Sequence, residues 1–213
     1  MINIKEYIKE HILYLDGGMG TLLQDMGLEP GELPERWNLT HPDRITAIHK
    51  AYYDAGSNVV STNTFGANIL KFSADELEQI VQTAVENVKK AKEVSGGTQP
   101  KWVALDIGPT GKMLAPYGDF DFEEAVAVFA QTVRLGAKYG ADLIFIETMN
   151  DSYETKAALL AAKENCDLPV FVSNAYGEDG KLMTGANPAA MVAMLEGMGA
   201  DAIGVNCSLG PKA

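Results

Sequence analysis

Six short apolar runs in this chain each end in side chains that can bind or react. They close on Asp16; on Thr62, Asn63 and Thr64; on Asp106; on Glu147 and Thr148; on Ser173 and Asn174; and on Asn206 and Cys207. A carboxylate can hold a cation or move a proton, and amides and hydroxyls orient a polar ligand. A thiol becomes a nucleophile or a soft metal ligand once deprotonated. Each residue also has a plainer use. Asp16 can cap the turn after it, and Asp106, before Ile107-Gly108-Pro109, can hold a turn. Glu147 follows Leu143-Ile144-Phe145-Ile146, so it is at least partly buried and can belong to a structural ion pair. Cys207 alone can be an ordinary core thiol. Packing does not explain why all six runs end this way. The segment Asp16-Gly17-Gly18-Met19-Gly20-Thr21 adds a further chemistry. Successive glycines let backbone N–H groups converge on an anion, and a helix start adds its positive end. A carboxylate would fit there; an ordinary flexible turn is the alternative.

The apolar runs are the strands that must position these groups. They cover residues 11–16, 58–64, 102–108, 143–148, 169–174 and 202–208. Being largely continuous rather than alternating, they read as parallel strands covered on both faces. Helical patterns lie between them, at residues 42–55, 74–94, 122–139, 152–165 and 188–198. Capping-box spacing marks three of the starts, Ser73 with Glu76, Asp121 with Glu124 and Asp151 with Glu154, and Asn187-Pro188 marks a fourth. The helix ends repeat as well: Gly56-Ser57-Asn58, Gly140-Ala141-Asp142 and Gly199-Ala200-Asp201 each lead into the next strand. Repeated strand–helix units give an α/β class. The first turn is not GxGxxG and no P-loop follows, which favours a (β/α)8 barrel over an open nucleotide-binding sheet. The chain ends just after the sixth run, so the sequence predicts one domain over residues 1–213, a barrel truncated after about six units. In a barrel all the polar strand ends share one face, the face that carries active sites.

Composition narrows the partners. A net charge of −12 disfavours nucleic acid and anionic membranes. No run approaches a membrane-spanning length, and the N-terminus has no signal-like apolar stretch. Two cysteines, Cys166 and Cys207, make no disulfide framework, so a cytoplasmic location is expected. His11, His41 and His49 lack metal-motif spacing and read as structural. Residues 95–100 are the nearest thing to a flexible insert.

Taken together, DGGMGT at 16–21, TNTFGA at 62–67, DIGPTG at 106–111, Glu147-Thr148 and GVNCS at 204–208 resemble the homocysteine S-methyltransferase family, in order and over essentially the whole chain. Within it the chain is most similar to the N-terminal homocysteine-binding modules of cobalamin-dependent methionine synthases. The resemblance implies a (β/α)8 barrel that transfers a methyl group to the homocysteine thiol, with Zn2+ on three thiolates. Cys207 matches one of them; the adjacent pair in the family's GGCCG segment has no counterpart here, so the isolated chain is expected to be inactive. The resemblance further implies that Gly18, Met19, Gly20 and Thr21, with Gly17, receive the substrate carboxylate, that Glu147 pairs with its ammonium, and that Asp16, Thr62, Asn63 and Asn206 line the pocket. In the methionine synthase branch, methylcobalamin and methyltetrahydrofolate sit on other domains. Two other readings stand beside it: a different barrel enzyme using Glu147 and Asp106 as acid and base, and a non-catalytic module that self-associates through open barrel edges.

Overall fold

The computed structural model describes residues 3–208 and Gly210. Its elements are α1 (Ile4–Tyr7), α2 (Gly20–Asp25), a 3-10 turn (Pro34–Arg36), α3 (Trp37–Thr40), α4 (Pro42–Asp54), β1 (Val59–Ser61), α5 (Ala74–Val94), β2 (Trp102–Ile107), α6 (Phe122–Tyr139), β3 (Leu143–Met149), α7 (Ser152–Asn165), β4 (Val170–Asn174), α8 (Pro188–Gly197) and β5 (Ala202–Val205). The strands are all parallel and lie in the order β1-β2-β3-β4-β5. A doubly wound sheet reverses its order at a switch point; this one never does, so it is an arc of a barrel. None of the helices among the described residues is long and apolar enough to cross a membrane.

The five long helices fall where the sequence places them, to within a residue at either end. Ser73, Asp121, Asp151 and Asn187 all accept a backbone N–H at the helix start. The reciprocal half of the capping box, a bond from the cap residue's own N–H to the glutamate, is absent at all three starts with that spacing among the described residues. Glu154 does not reach back to Asp151; it is buried and accepts from the backbone N and the hydroxyl of Thr110. The first expected strand, residues 11–16, is also absent as a strand. It is reduced to a single bridge, Leu15 to Val59, with Ile12 and Tyr14 exposed, and the short helix α1 precedes it. The loop at residues 95–100 is pinned rather than free: Gly96 N donates to Asp54, and Lys101 Nζ to the Gly96 carbonyl.

The repeated helix–strand turn has a mechanical role. Gly140 and Gly199 take positive φ, 84° and 80°, which glycine alone adopts without strain. The acid or amide two residues on then ties one strand to its neighbour. Asp142 Oδ2 accepts from Val103 N and Asp201 Oδ2 from Val170 N, both at 2.8 Å. Asn58 Oδ1 takes Tyr14 N at 3.0 Å in the same way. The repeat in sequence is thus a repeat of strand register.

Side chains alternate across the sheet. Val103, Leu105, Ile107, Ile144, Ile146, Val170 and Val172 face outward and pack under the helices. Val59, Trp102, Ala104, Leu143 and Phe171 face inward, and Ile4 of α1 plugs the lower end of this interior. The inward positions turn polar toward the strand ends, giving Ser61, Asp106, Glu147 and Ser173. Helix α6 lies so close to β2 that a Cβ at Gly136 would stand 2.4 Å from Leu105 Cδ2. Gly136→Ala should therefore cost stability despite its better helix propensity, by about 1–2 kcal/mol, read from the midpoint of urea unfolding. β5 forms the far margin of the arc; Ile203 and Val205 on it are exposed.

Candidate active site

One cavity of about 810 Å3 fills the interior of the arc and opens at the carboxyl ends of the strands. Its lower walls are apolar: Leu13, Leu15, Phe145 and Phe171. Its upper walls carry Asp16, Glu35, Asp106 and Glu147, together with Ser61, Thr62, Asn63, Ser173, Asn206 and Cys207. Among the described residues no lysine, arginine or histidine lines it. Four carboxyl groups therefore face one space with no basic side chain among them.

Burial shapes how these acids titrate. It pushes Asp16 up to about 6, against the pull of hydrogen bonds from the backbone N and hydroxyl of Ser61. Asp106, deeper still, is raised well above the usual carboxylate range by burial and then by its neighbour Glu147. Glu147 is raised by burial too, but bonds from Asp106, Thr148 and Asn206 draw it back. Both groups are raised, so burial and their mutual repulsion favour one proton on the pair over two charges.

Asn206 is the link between strand ends. Its Nδ2 donates to Glu147 Oε2 and, at 2.9 Å, to Thr148 Oγ1. Its Oδ1 accepts from Ser173 Oγ at 2.9 Å and from Thr148 N at 3.1 Å. The same Nδ2 lies 3.7 Å from Cys207 Sγ. One amide therefore holds a carboxylate in place and stands beside a thiol. Two residues beside it hold backbone conformations that side chains rarely adopt: Thr148 at φ 59° and Cys207 at φ 48°. β-branched residues avoid this region, and such strain persists where surrounding bonds enforce it, often at functional sites. Here Asn206 supplies those bonds, and the strand register slips between Ile146 and Met149 to admit them.

Most residues singled out in the sequence converge here, with differences. Gly17, Gly18, Met19 and Gly20 line the cavity mouth, but Thr21 does not. Thr62 and Asn63 line it while their polar groups bond inward. Thr62 Oγ1 pairs with Thr64 Oγ1 and accepts from Asp106 N; Asn63 Nδ2 donates to Pro34 O. Cys166, at the end of α7, lies against the helix layer and donates to Ala162 O. Glu35 was not foreseen. An acid after proline in a short turn looks like any surface helix start, yet this one is buried, with Oε1 accepting from Gly66 N at 2.7 Å.

A zinc ion on three thiolates does not fit the described residues, which bring only Cys207 to the cavity and contain no cluster of three or more metal-ligating side chains.

The sheet order, the strand-end chemistry and comparison with known proteins agree on the class. The homocysteine S-methyltransferase profile matches residues 13–213, and the chain belongs to that family. It is 29% identical to methionine synthase of Mycobacterium leprae and 28% to that of Mycobacterium tuberculosis, over 98% of this chain and 19% of each relative. The chain thus spans about a fifth of the length of these relatives. The fold is shared with the homocysteine methyltransferase MmuM from Escherichia coli: its metallated form superposes with a TM-score of 0.83 at 22% identity, covering 97% of this chain and 78% of that one. The apo form gives 0.79 at 24% identity, covering 96% and 75%.

Proposed function

We propose that this chain binds homocysteine and presents its sulfur for methylation, as the amino-acid-binding part of a methionine synthase-like homocysteine S-methyltransferase. One observation carries the reading: Asn206 links a carboxylate, Glu147, to the neighbouring thiol, Cys207, inside a cavity that no lysine, arginine or histidine among the described residues lines. An amino acid with a thiol on a short carbon chain matches both ends. Its ammonium supplies the missing counter-charge at Glu147, and its sulfur comes to rest beside Cys207. The backbone N–H groups of residues 17–20 are left for the carboxylate.

Zinc belongs to this proposal in a limited way. When bound, it would acidify the substrate thiol so that a thiolate is presented at neutral pH. Cys207 is one soft ligand for it, and the others must come from outside the described residues. Methylcobalamin is the proposed donor, recharged from methyltetrahydrofolate on further domains; the much greater length of the methionine synthase relatives leaves room for them.

The test is a titration with L-homocysteine, with and without Zn2+, on a form extended through the rest of the barrel and on its Cys207→Ala variant. Binding that zinc tightens in the wild type but not in the variant supports the proposal. Absence of binding, or a zinc effect that survives the substitution, overturns it. The chain alone should show no methyl transfer above background.

A further inference from the structure

We infer that Tyr52 is a positioning residue for the substrate carboxylate, acting through a single peptide unit of the first loop. This rests on the reading above, in which that loop receives the carboxylate. Tyr52 projects from α4, outside the cavity, and its hydroxyl donates to the Gly18 carbonyl at 2.8 Å. The Gly18–Met19 peptide is trans, so its C=O and N–H point in opposite directions. Fixing the carbonyl toward α4 fixes the Met19 N–H away from it. Gly17, Gly18, Met19 and Gly20 line the cavity and Tyr52 does not, so away from α4 is toward the cavity. Among the described residues the Met19 N–H finds no protein acceptor, which leaves it free for a ligand.

The fit between ring and loop is close. A Cβ on Gly17 would stand 3.0 Å from the Tyr52 hydroxyl and 3.2 Å from Cε1. The partly buried ring packs against two apolar clusters, one containing Leu23, Trp37, Ile45 and Ile48 and the other Tyr53, Val60 and Val85. Tyr52 thus transmits the rigidity of the helix layer to a glycine-rich loop that has little of its own. Its hydrogen bond also polarises the peptide, making the Met19 N–H a stronger donor.

The experiment compares two ligands on two proteins. L-Homocysteine carries thiol, ammonium and carboxylate; 3-aminopropane-1-thiol carries only the first two. Tyr52→Phe keeps the ring and its packing but loses the hydroxyl. It should weaken L-homocysteine about tenfold and leave 3-aminopropane-1-thiol within about twofold. Gly17→Ala, which displaces the ring, should reproduce the selective loss. The Met19 amide resonance, picked out of the nine methionines by Met19→Leu, should shift on adding L-homocysteine and not on adding the amine. Equal losses for both ligands, or none for either, would make Tyr52 merely structural and overturn the inference. Wild-type protein that binds the two ligands equally, with Met19 unmoved, overturns it while sparing the ammonium and thiol contacts. Wild-type protein that binds neither removes the substrate reading, and the inference with it.

Discussion

Glu147→Gln is expected to weaken L-homocysteine binding by about a hundredfold while leaving the chain folded. The size follows from where the charge sits. Glu147 is half-buried, and Asn206 and Thr148 donate to it. A ligand ammonium entering this space loses its water and finds Glu147 as its counter-ion. Gln keeps the shape and can still accept from Asn206, so the strand ends stay tied, but the entering cation is left uncompensated. Breaking one side of such a pair costs several kcal/mol. The pH dependence separates charge from shape. Glu147 is raised above the ordinary carboxylate range, so wild-type binding should strengthen as pH rises through that raised value and weaken below it. In Glu147→Gln this dependence should be lost. Calorimetry in buffers of different ionisation enthalpy would show the wild type releasing protons on binding. A variant that binds like the wild type would move the ammonium site to Asp16.

What the sequence disclosed, and what it hid, divides along a physical line. Helix starts at Ser73, Asp121 and Asn187 were legible because a cap is local chemistry: one side chain and a backbone N–H a few residues away. The strand-end residues were legible because parallel strands deliver their ends to one face. Other features were hidden. Asp151 and Glu154 have the spacing of a capping box, but a distant loop at Thr110 competes for Glu154 and wins. The run at 11–16 has strand composition yet lies at the margin of the arc with one neighbour, so it forms a bridge and no more. Tyr52 looks like any aromatic on an amphipathic helix; only the packing of α4 behind the first loop brings its hydroxyl to Gly18. The linking role of Asn206 was hidden for the same reason. Its partners, Glu147, Thr148 and Ser173, lie on two other strands.

His49→Leu is expected to make mild acidification more favourable to stability than it is in the wild type. His49 lies on α4, fully buried, with neither ring nitrogen hydrogen-bonded, and burial lowers its pKa to about 3. In the unfolded chain the imidazole titrates normally, near 6.5. The unfolded state therefore binds a proton that the folded state refuses. His49 costs nothing above that ordinary value, and its penalty grows as pH falls toward about 3. At about pH 5.5 the penalty is about 1.4 kcal/mol, and at about pH 7.5 it is close to zero. Asp16 works the other way. Its raised pKa means the folded state holds its proton more tightly, so its contribution falls as pH rises toward about 6. In the wild type the histidine slope opposes that of the buried carboxyls, Asp16 together with Asp106, Glu147 and Glu154, all raised by burial. Leucine fills the site without titrating and removes the unpaired nitrogens, so only the carboxylate slope remains: the variant should gain stability between about pH 7.5 and 5.5. Urea unfolding of both proteins at the two pH values isolates His49 as a double difference of about 1.4 kcal/mol. A double difference near zero would mean that the imidazole reaches a partner or solvent in the folded state, and that the interior behind α4 is wetter than its packing implies.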